Sequence, residues 1–98
     1  MAVMVIQDVE ATIEEYDQVN EKIQPEKDPP KGLIVHCGAK PSGGKIHVVD
    51  IWDSAEDFQA FFESRLGPAV QEVMGPPPED AGPPPEPTIL DVHDLVKP

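Results

Sequence analysis

Apolar positions recur along this chain in two patterns: short β-branched runs, and stripes whose members lie three and four residues apart. Residues 3–6, Val-Met-Val-Ile, form one such run ended by Gln7-Asp8 and predict a strand covered on both faces. Thr12 with Glu15 three residues on is a capping box. Ile13, Tyr16, Val19 and Ile23 follow at helical spacing, with Glu14, Asp17, Glu21 and Lys22 turned outward. Pro25 closes that helix. Residues 33–37, Leu-Ile-Val-His-Cys, read as a second strand and residues 46–52 as a third, joined antiparallel through the turn Pro41-Ser42-Gly43-Gly44. Asp53 or Ser54 caps a second helix, whose stripe runs Phe58, Phe61, Phe62, Leu66, Ala69, Val70, Val73. Pro68 falls inside that stripe and predicts a kink, or a break and restart. Gly75 ends it. A last strand is expected over residues 88–96.

The order strand, helix, strand, strand, helix, strand is that of a ferredoxin-like α+β fold, βαββαβ, with both helices on one face of a four-stranded antiparallel sheet. The whole chain, residues 1–98, is expected to form one domain. Its strands are apolar on both sides: Val3 and Val5 oppose Met4 and Ile6, and Ile46 and Val48 oppose Val49 and Ile51. Water does not favour such a face, so the helix-free side is expected to be buried against a second copy in a homodimer. Residues 75–87, GPPPEDAGPPPEP, hold two proline triplets and predict a stiff, ordered connection to the last strand.

Composition narrows the function classes. Seven basic against 19 acidic side chains give a formal charge of −12, which argues against nucleic acid and anionic membrane surfaces as partners. A single cysteine, Cys37, excludes an internal disulfide and any cysteine-rich metal site. The N-terminus lacks a basic region and a long apolar run, so neither a signal peptide nor a membrane span is expected, and a cytoplasmic address is. Glycine-rich phosphate loops, His-Glu-x-x-His and Cys-x-x-Cys are absent. No cofactor and no metal is expected.

The polar residues inside the apolar runs carry the candidate chemistry. Asp50 lies in the middle of a strand, on the face it shares with Trp52, and a carboxylate there needs a hydrogen-bonding or charged partner. That partner is either a histidine, whose tautomer it would hold, or a structural backbone group. His36, His47 and His93 all lie on expected strands and are candidate general bases. Whether His36 shares a face with Asp50 depends on the hairpin register, which the turn residues leave open. His47, close to the hairpin, is expected to be exposed. Tyr16 lies on the buried stripe, with a hydroxyl able to donate to a substrate oxygen, and Gln7 is placed to act likewise from the first strand. Cys37 reads as a nucleophile or as a small buried apolar residue.

The chain resembles the dimeric α/β barrel family over nearly its full length. The resemblance rests on the element order, on Val49-Asp50-Ile51-Trp52-Asp53-Ser54 followed by Phe58 and Phe61-Phe62, on Arg65-Leu66-Gly67-Pro68-Ala69, and on His93. Small actinobacterial proteins of unassigned function are similar to it. The family also takes in antibiotic-biosynthesis-type quinone-forming monooxygenases, haem-degrading monooxygenases, polyketide cyclases, isomerases and stress-responsive members. The resemblance implies that Trp52 lines a cavity between sheet and helices; as a residue alone it reads equally as core. It also implies that His93 matches a recurring histidine of the last strand. Haem degradation is not expected, because the second helix has no histidine.

Two functions are consistent with these residues. The first is a cofactor-independent enzyme acting on an aromatic or polyketide-like carbonyl compound as monooxygenase, cyclase or isomerase. Its pocket is lined by Trp52, Tyr16, Phe58, Phe61, Phe62 and Gln7, and proton abstraction falls to His36 or His93 tuned by Asp50. The second is a non-catalytic dimer, stress-responsive or binding a small ligand or a protein, with the acidic surface and the proline-rich arm as its interaction features. A roomy pocket with converging polar groups favours the first.

Overall fold

The computed structural model describes residues 2–41, 43–75 and 86–97. Most of the proline-rich connection therefore lies outside the described residues. Along the chain come β1 (Val3–Val9), α1 (Ile13–Ile23), β2 (Leu33–Ala39) and β3 (Ile46–Trp52). They are followed by α2 (Ala55–Phe61), a π-helical turn (Phe62–Leu66), α3 (Gly67–Met74) and β4 (Thr88–Asp91). The strands form one antiparallel sheet in the order β2-β3-β1-β4, the ferredoxin-like arrangement that the element order predicts.

Both helical segments begin where side chains can satisfy free backbone N–H groups. The Glu15 N–H donates to Thr12 Oγ1 at 3.1 Å while the Thr12 N–H donates to Glu15 Oε1 at 2.9 Å. Such a cap is worth about 1 kcal/mol. Ser54 Oγ accepts from the Asp57 N–H at 3.1 Å. At its other end α1 stops at Gln24, left-handed at φ 53°, immediately before Pro25.

Pro68 explains the π-helical turn. Its ring would press on the Ser64 carbonyl, four residues back, in a regular helix. The chain instead widens over Phe62–Leu66, the Gly67 N–H bonds to the Phe62 carbonyl five residues back, and α3 continues with Pro68 as its second residue. Phe62, which opens the turn, lies at the edge of the stripe with its ring centroid 6.2 Å from that of Phe58 and 41% of it exposed. The regular stripe expected through this region is corrected at that residue.

Three strand ends also differ from expectation, the first being β2, which runs to Ala39 rather than Cys37 because β3 pairs it as far as Ala39↔His47. β1 runs to Val9 rather than Ile6, because β3 offers it partners as far as Val9↔Ile46. β4 stops at Asp91 rather than Val96. Asp91 already pairs with Val3, the first residue of β1, and one more bond, from the Val92 N–H to the Ala2 carbonyl at 3.0 Å, uses the backbone left at that end.

The core lies between sheet and helices in two adjoining clusters. Val3, Val5, Trp52 and Phe58 pack together with Leu33, Ala55 and Phe61 beside them. Val19, Ile23 and Ala69 tie α1 to α3, and Phe61 also packs against this second group. Burying Phe58 alone contributes about 2–3 kcal/mol. Arg65 ties the π-helical turn to the end of α1 and the loop after it, donating to the Ile23 carbonyl at 2.5 Å and the Asp28 carbonyl at 2.9 Å.

Candidate functional site

Strand register decides what meets Asp50. In the β2–β3 hairpin, Ala39 pairs with His47, Gly38 with Val48, Cys37 with Val49 and His36 with Asp50. A bulge between Leu33 and Val35 then shifts the ladder by one residue. His36 and Asp50 are therefore direct cross-strand neighbours on the helix-facing side, next to Trp52.

Four side chains from three elements form one hydrogen-bonded chain. His36 Nδ1 lies 2.6 Å from Asp50 Oδ1, and Trp52 Nε1–H donates to Asp50 Oδ2 at 3.3 Å. The Tyr16 hydroxyl lies 2.9 Å from His36 Nε2. Ionised Asp50 only accepts, so it draws the ring proton to Nδ1 and leaves Nε2 to accept from the Tyr16 O–H. Asp50 is only 4% exposed, and its two oxygens have the two donors a buried carboxylate needs. The Tyr16 and His36 rings are 11° from coplanar with centroids 6.4 Å apart, which is an edge-to-edge, in-plane alignment rather than a face-to-face stack.

Tyr16 reaches this position because residue 38 is glycine. A Cβ on Gly38 would sit 2.3 Å from the Tyr16 hydroxyl oxygen, so the phenol uses the room that the missing side chain leaves. Burial pushes the Tyr16 phenol above its ordinary value. The polar Asn20 side chain, one helical turn on, pulls the other way, and the Asp50 charge adds to the rise. At neutral pH Tyr16 is thus an uncharged hydroxyl and a donor.

His36 opens onto solvent. A groove of about 560 Å³ runs beside the β2 edge, walled by Asp17, Asn20 and Glu21 of α1, residues 24–27 and Pro29, and residues 33–36. His36 supplies its polar end. The outer lip is the segment that Arg65 holds through the Asp28 carbonyl. A second groove, about 450 Å³, lies near the start of α1 between Glu10, Thr12, Glu15, Lys40 and Lys45. No group of three metal-ligating side chains occurs among the described residues.

The other sequence candidates fall elsewhere. Trp52 is 0% exposed and Phe58 2%, with ring centroids 5.7 Å apart, and the Trp52 and Phe61 centroids lie 5.2 Å apart. These rings pack against one another between sheet and helices, the core reading of Trp52. Phe62 faces outward. Gln7, partly exposed, pairs with Val48 in the sheet and does not join the chain of polar groups. His93 lies past the end of β4, exposed, and no hydrogen bond joins it to Tyr16, His36 or Asp50; its expected place on a strand is corrected. His47 is exposed and pairs with Asp8 at 2.5 Å on the opposite sheet face. Cys37 is exposed there too, rather than buried. Sequence reasoning missed Gly38 and Arg65. A glycine inside a strand pattern was the one available signal for the first.

No protein-family model matches this chain, and no curated protein does. Among solved structures it is similar to the haem-degrader MhuD from Mycobacterium tuberculosis, determined with two haems bound in its active site. The two share 19% identity, the match covers 99% of this chain and 100% of that one, and the TM-score is 0.53. A likeness at that identity establishes the shared ferredoxin-like fold.

Proposed function

We propose that this chain is a cytoplasmic, cofactor-independent enzyme that removes an acidic proton next to a carbonyl of an aromatic or polyketide-like small molecule. The Tyr16–His36–Asp50 hydrogen-bond chain, which meets the groove at His36, carries this reading. A substrate carbonyl entering beside His36 takes over the Tyr16 O–H, which frees Nε2. Nε2 then accepts the proton, Asp50 stabilises the imidazolium, and the neutral phenol donates to the enolate oxygen as charge develops there. The substrate's own structure sets the fate of the carbanion: rearrangement, cyclisation or reaction with oxygen.

The haem of the structural neighbour does not fit the described residues. The helices carry no histidine, both nitrogens of His36 are engaged, and Trp52, Phe58 and Phe61 occupy the space between the layers.

A homodimer through the helix-free sheet face belongs to the same proposal. By strand alternation that face carries Met4, Ile6, Val35, Val49, Ile51 and Leu90, with Val35 44% and Leu90 50% exposed. The exposed apolar part of that face, at Val35 and Leu90, is covered in this proposal by a second copy, while Ile51 is already buried and the far end of the face carries the exposed Asp8–His47 pair. Sedimentation equilibrium at micromolar concentration is expected to show a dimer, and a monomer contradicts it.

The test of the reaction is proton exchange. Benzoylacetone, an aromatic 1,3-diketone, is incubated with the protein in deuterated buffer and its α-hydrogen signal followed by NMR. Exchange above the buffer rate is expected, falling by about 10²-fold or more in His36→Gln. Exchange equal to buffer in the native protein favours the non-catalytic ligand-binding function instead.

A further inference from the structure

The hydrogen-bond chain has the connectivity of a nucleophile, a base and an orienting carboxylate: hydroxyl to Nε2 at 2.9 Å, Nδ1 to carboxylate at 2.6 Å. We propose that Tyr16 is itself a nucleophile, and that the groove accepts an acyl donor, an activated ester or thioester, whose acyl group transfers to the Tyr16 oxygen. The inference uses the same residues as the proton-abstraction reading and does not depend on its substrate.

Three features argue for this role over a merely structural tyrosine. A structural hydroxyl is satisfied by any carbonyl or water, whereas this one points at a ring nitrogen whose partner nitrogen is fixed by a buried carboxylate. That carboxylate is in turn anchored by the Trp52 N–H, so the base is held on two sides. Asn20, one helical turn on from Tyr16, lines the groove and is placed to donate to a developing oxyanion.

The step balances without an external oxidant or reductant. The Tyr16 oxygen forms a bond to the acyl carbon while its proton passes to His36 Nε2. The tetrahedral intermediate then collapses, and the C–O or C–S bond breaks with its electron pair leaving on the alcohol or thiol. The Nε2 proton goes to that leaving group or to water. Hydrolysis of acyl-Tyr16 repeats the sequence with water as nucleophile and His36 again as base.

The probe is p-nitrophenyl acetate, with the site of acetylation read by peptide mass spectrometry. Tyr16 is the chain's one tyrosine, so N-acetyltyrosine amide is the matched reference. Tyr16 is expected to acetylate at least about 10²-fold faster than that reference near neutral pH, and His36→Gln to remove most of the difference. Independently of any variant, the wild-type rate is expected to level off well below the pH at which Tyr16 ionises, as general-base assistance requires. Acetylation confined to lysines and the N-terminus overturns the proposal. So does labelling of Tyr16 that rises in step with phenol ionisation, or that is unchanged in a folded His36→Gln protein. Diketone exchange without Tyr16 acetylation leaves the proton-abstraction reading standing and removes this one; the converse removes that reading alone.

Discussion

Replacing Gly38 with alanine separates the site from the fold. The added Cβ falls 2.3 Å from the Tyr16 hydroxyl oxygen and 2.7 Å from its Cζ, where non-bonded contact needs about 3.5 Å. The phenol end must therefore retreat by about 1 Å, which stretches its 2.9 Å contact with His36 Nε2 beyond hydrogen-bonding range. The obstacle meets the end of a side chain rather than backbone, so the helix need not move. Alanine gains about 0.5–1 kcal/mol over glycine in a strand, and losing one partly buried hydrogen bond costs about 0.5–1.5 kcal/mol. The two nearly cancel. Urea unfolding followed by Trp52 fluorescence is expected to change by less than about 1 kcal/mol, while diketone exchange falls and the Tyr16 phenol titrates closer to its ordinary value. An unaltered Tyr16 titration in Gly38→Ala refutes the geometry. A stability loss above about 3 kcal/mol refutes the idea that this glycine serves Tyr16 alone, since that magnitude belongs to core overpacking.

Titration of Tyr16 and removal of the Arg65 clamp have equally definite outcomes. Because the folded Tyr16 phenol lies above the unfolded value of 10.0, the native state keeps a proton that the unfolded chain releases. Its contribution to stability is fully present below that pH and is lost as pH rises through the folded value. Phenolate absorbance from the sole tyrosine should therefore appear above pH 10.0, with unfolding midpoints falling over the same interval; ionisation at or below it contradicts the burial argument. Arg65→Met removes donors to the Ile23 and Asp28 carbonyls and is expected to cost about 1–3 kcal/mol in thermal unfolding. Both bonds leave one nitrogen, Nη2, so Arg65→Lys, with three donors on one nitrogen, is expected to recover much of that loss; no recovery at all contradicts the clamp.

Much of the fold was legible because it rests on local chemistry. Thr12 with Glu15, Ser54 and Pro25 each act within a few residues of sequence and form as their spacing predicts; of the α1 stripe Val19 and Ile23 are buried and Tyr16 partly so, while Ile13 in the first turn is exposed. Asp50 announced its need for a partner by being charged inside an apolar strand. Which partner it finds was not legible, because that depends on a loop and a bulge that count residues between strands. Trp52 illustrates a different limit. The family resemblance placed it on a cavity wall, but two phenylalanines from α2 pack against it and only its N–H remains functional, holding Asp50. The end of β4 was hidden for a third reason: the 88–96 run looks uniform, and what stops it is the start of β1 at the other end of the chain.

The protonation pattern of His36 tests the central claim most directly. Long-range ¹H–¹⁵N correlation at neutral pH reads each imidazole nitrogen as protonated or bare. The structure requires a proton on Nδ1, facing Asp50, and a bare Nε2 accepting from Tyr16, with that pattern abolished in Asp50→Asn. A His36 whose proton sits on Nε2, or whose two nitrogens average as in a freely solvated imidazole, contradicts the hydrogen-bond chain and the chemistry built on it.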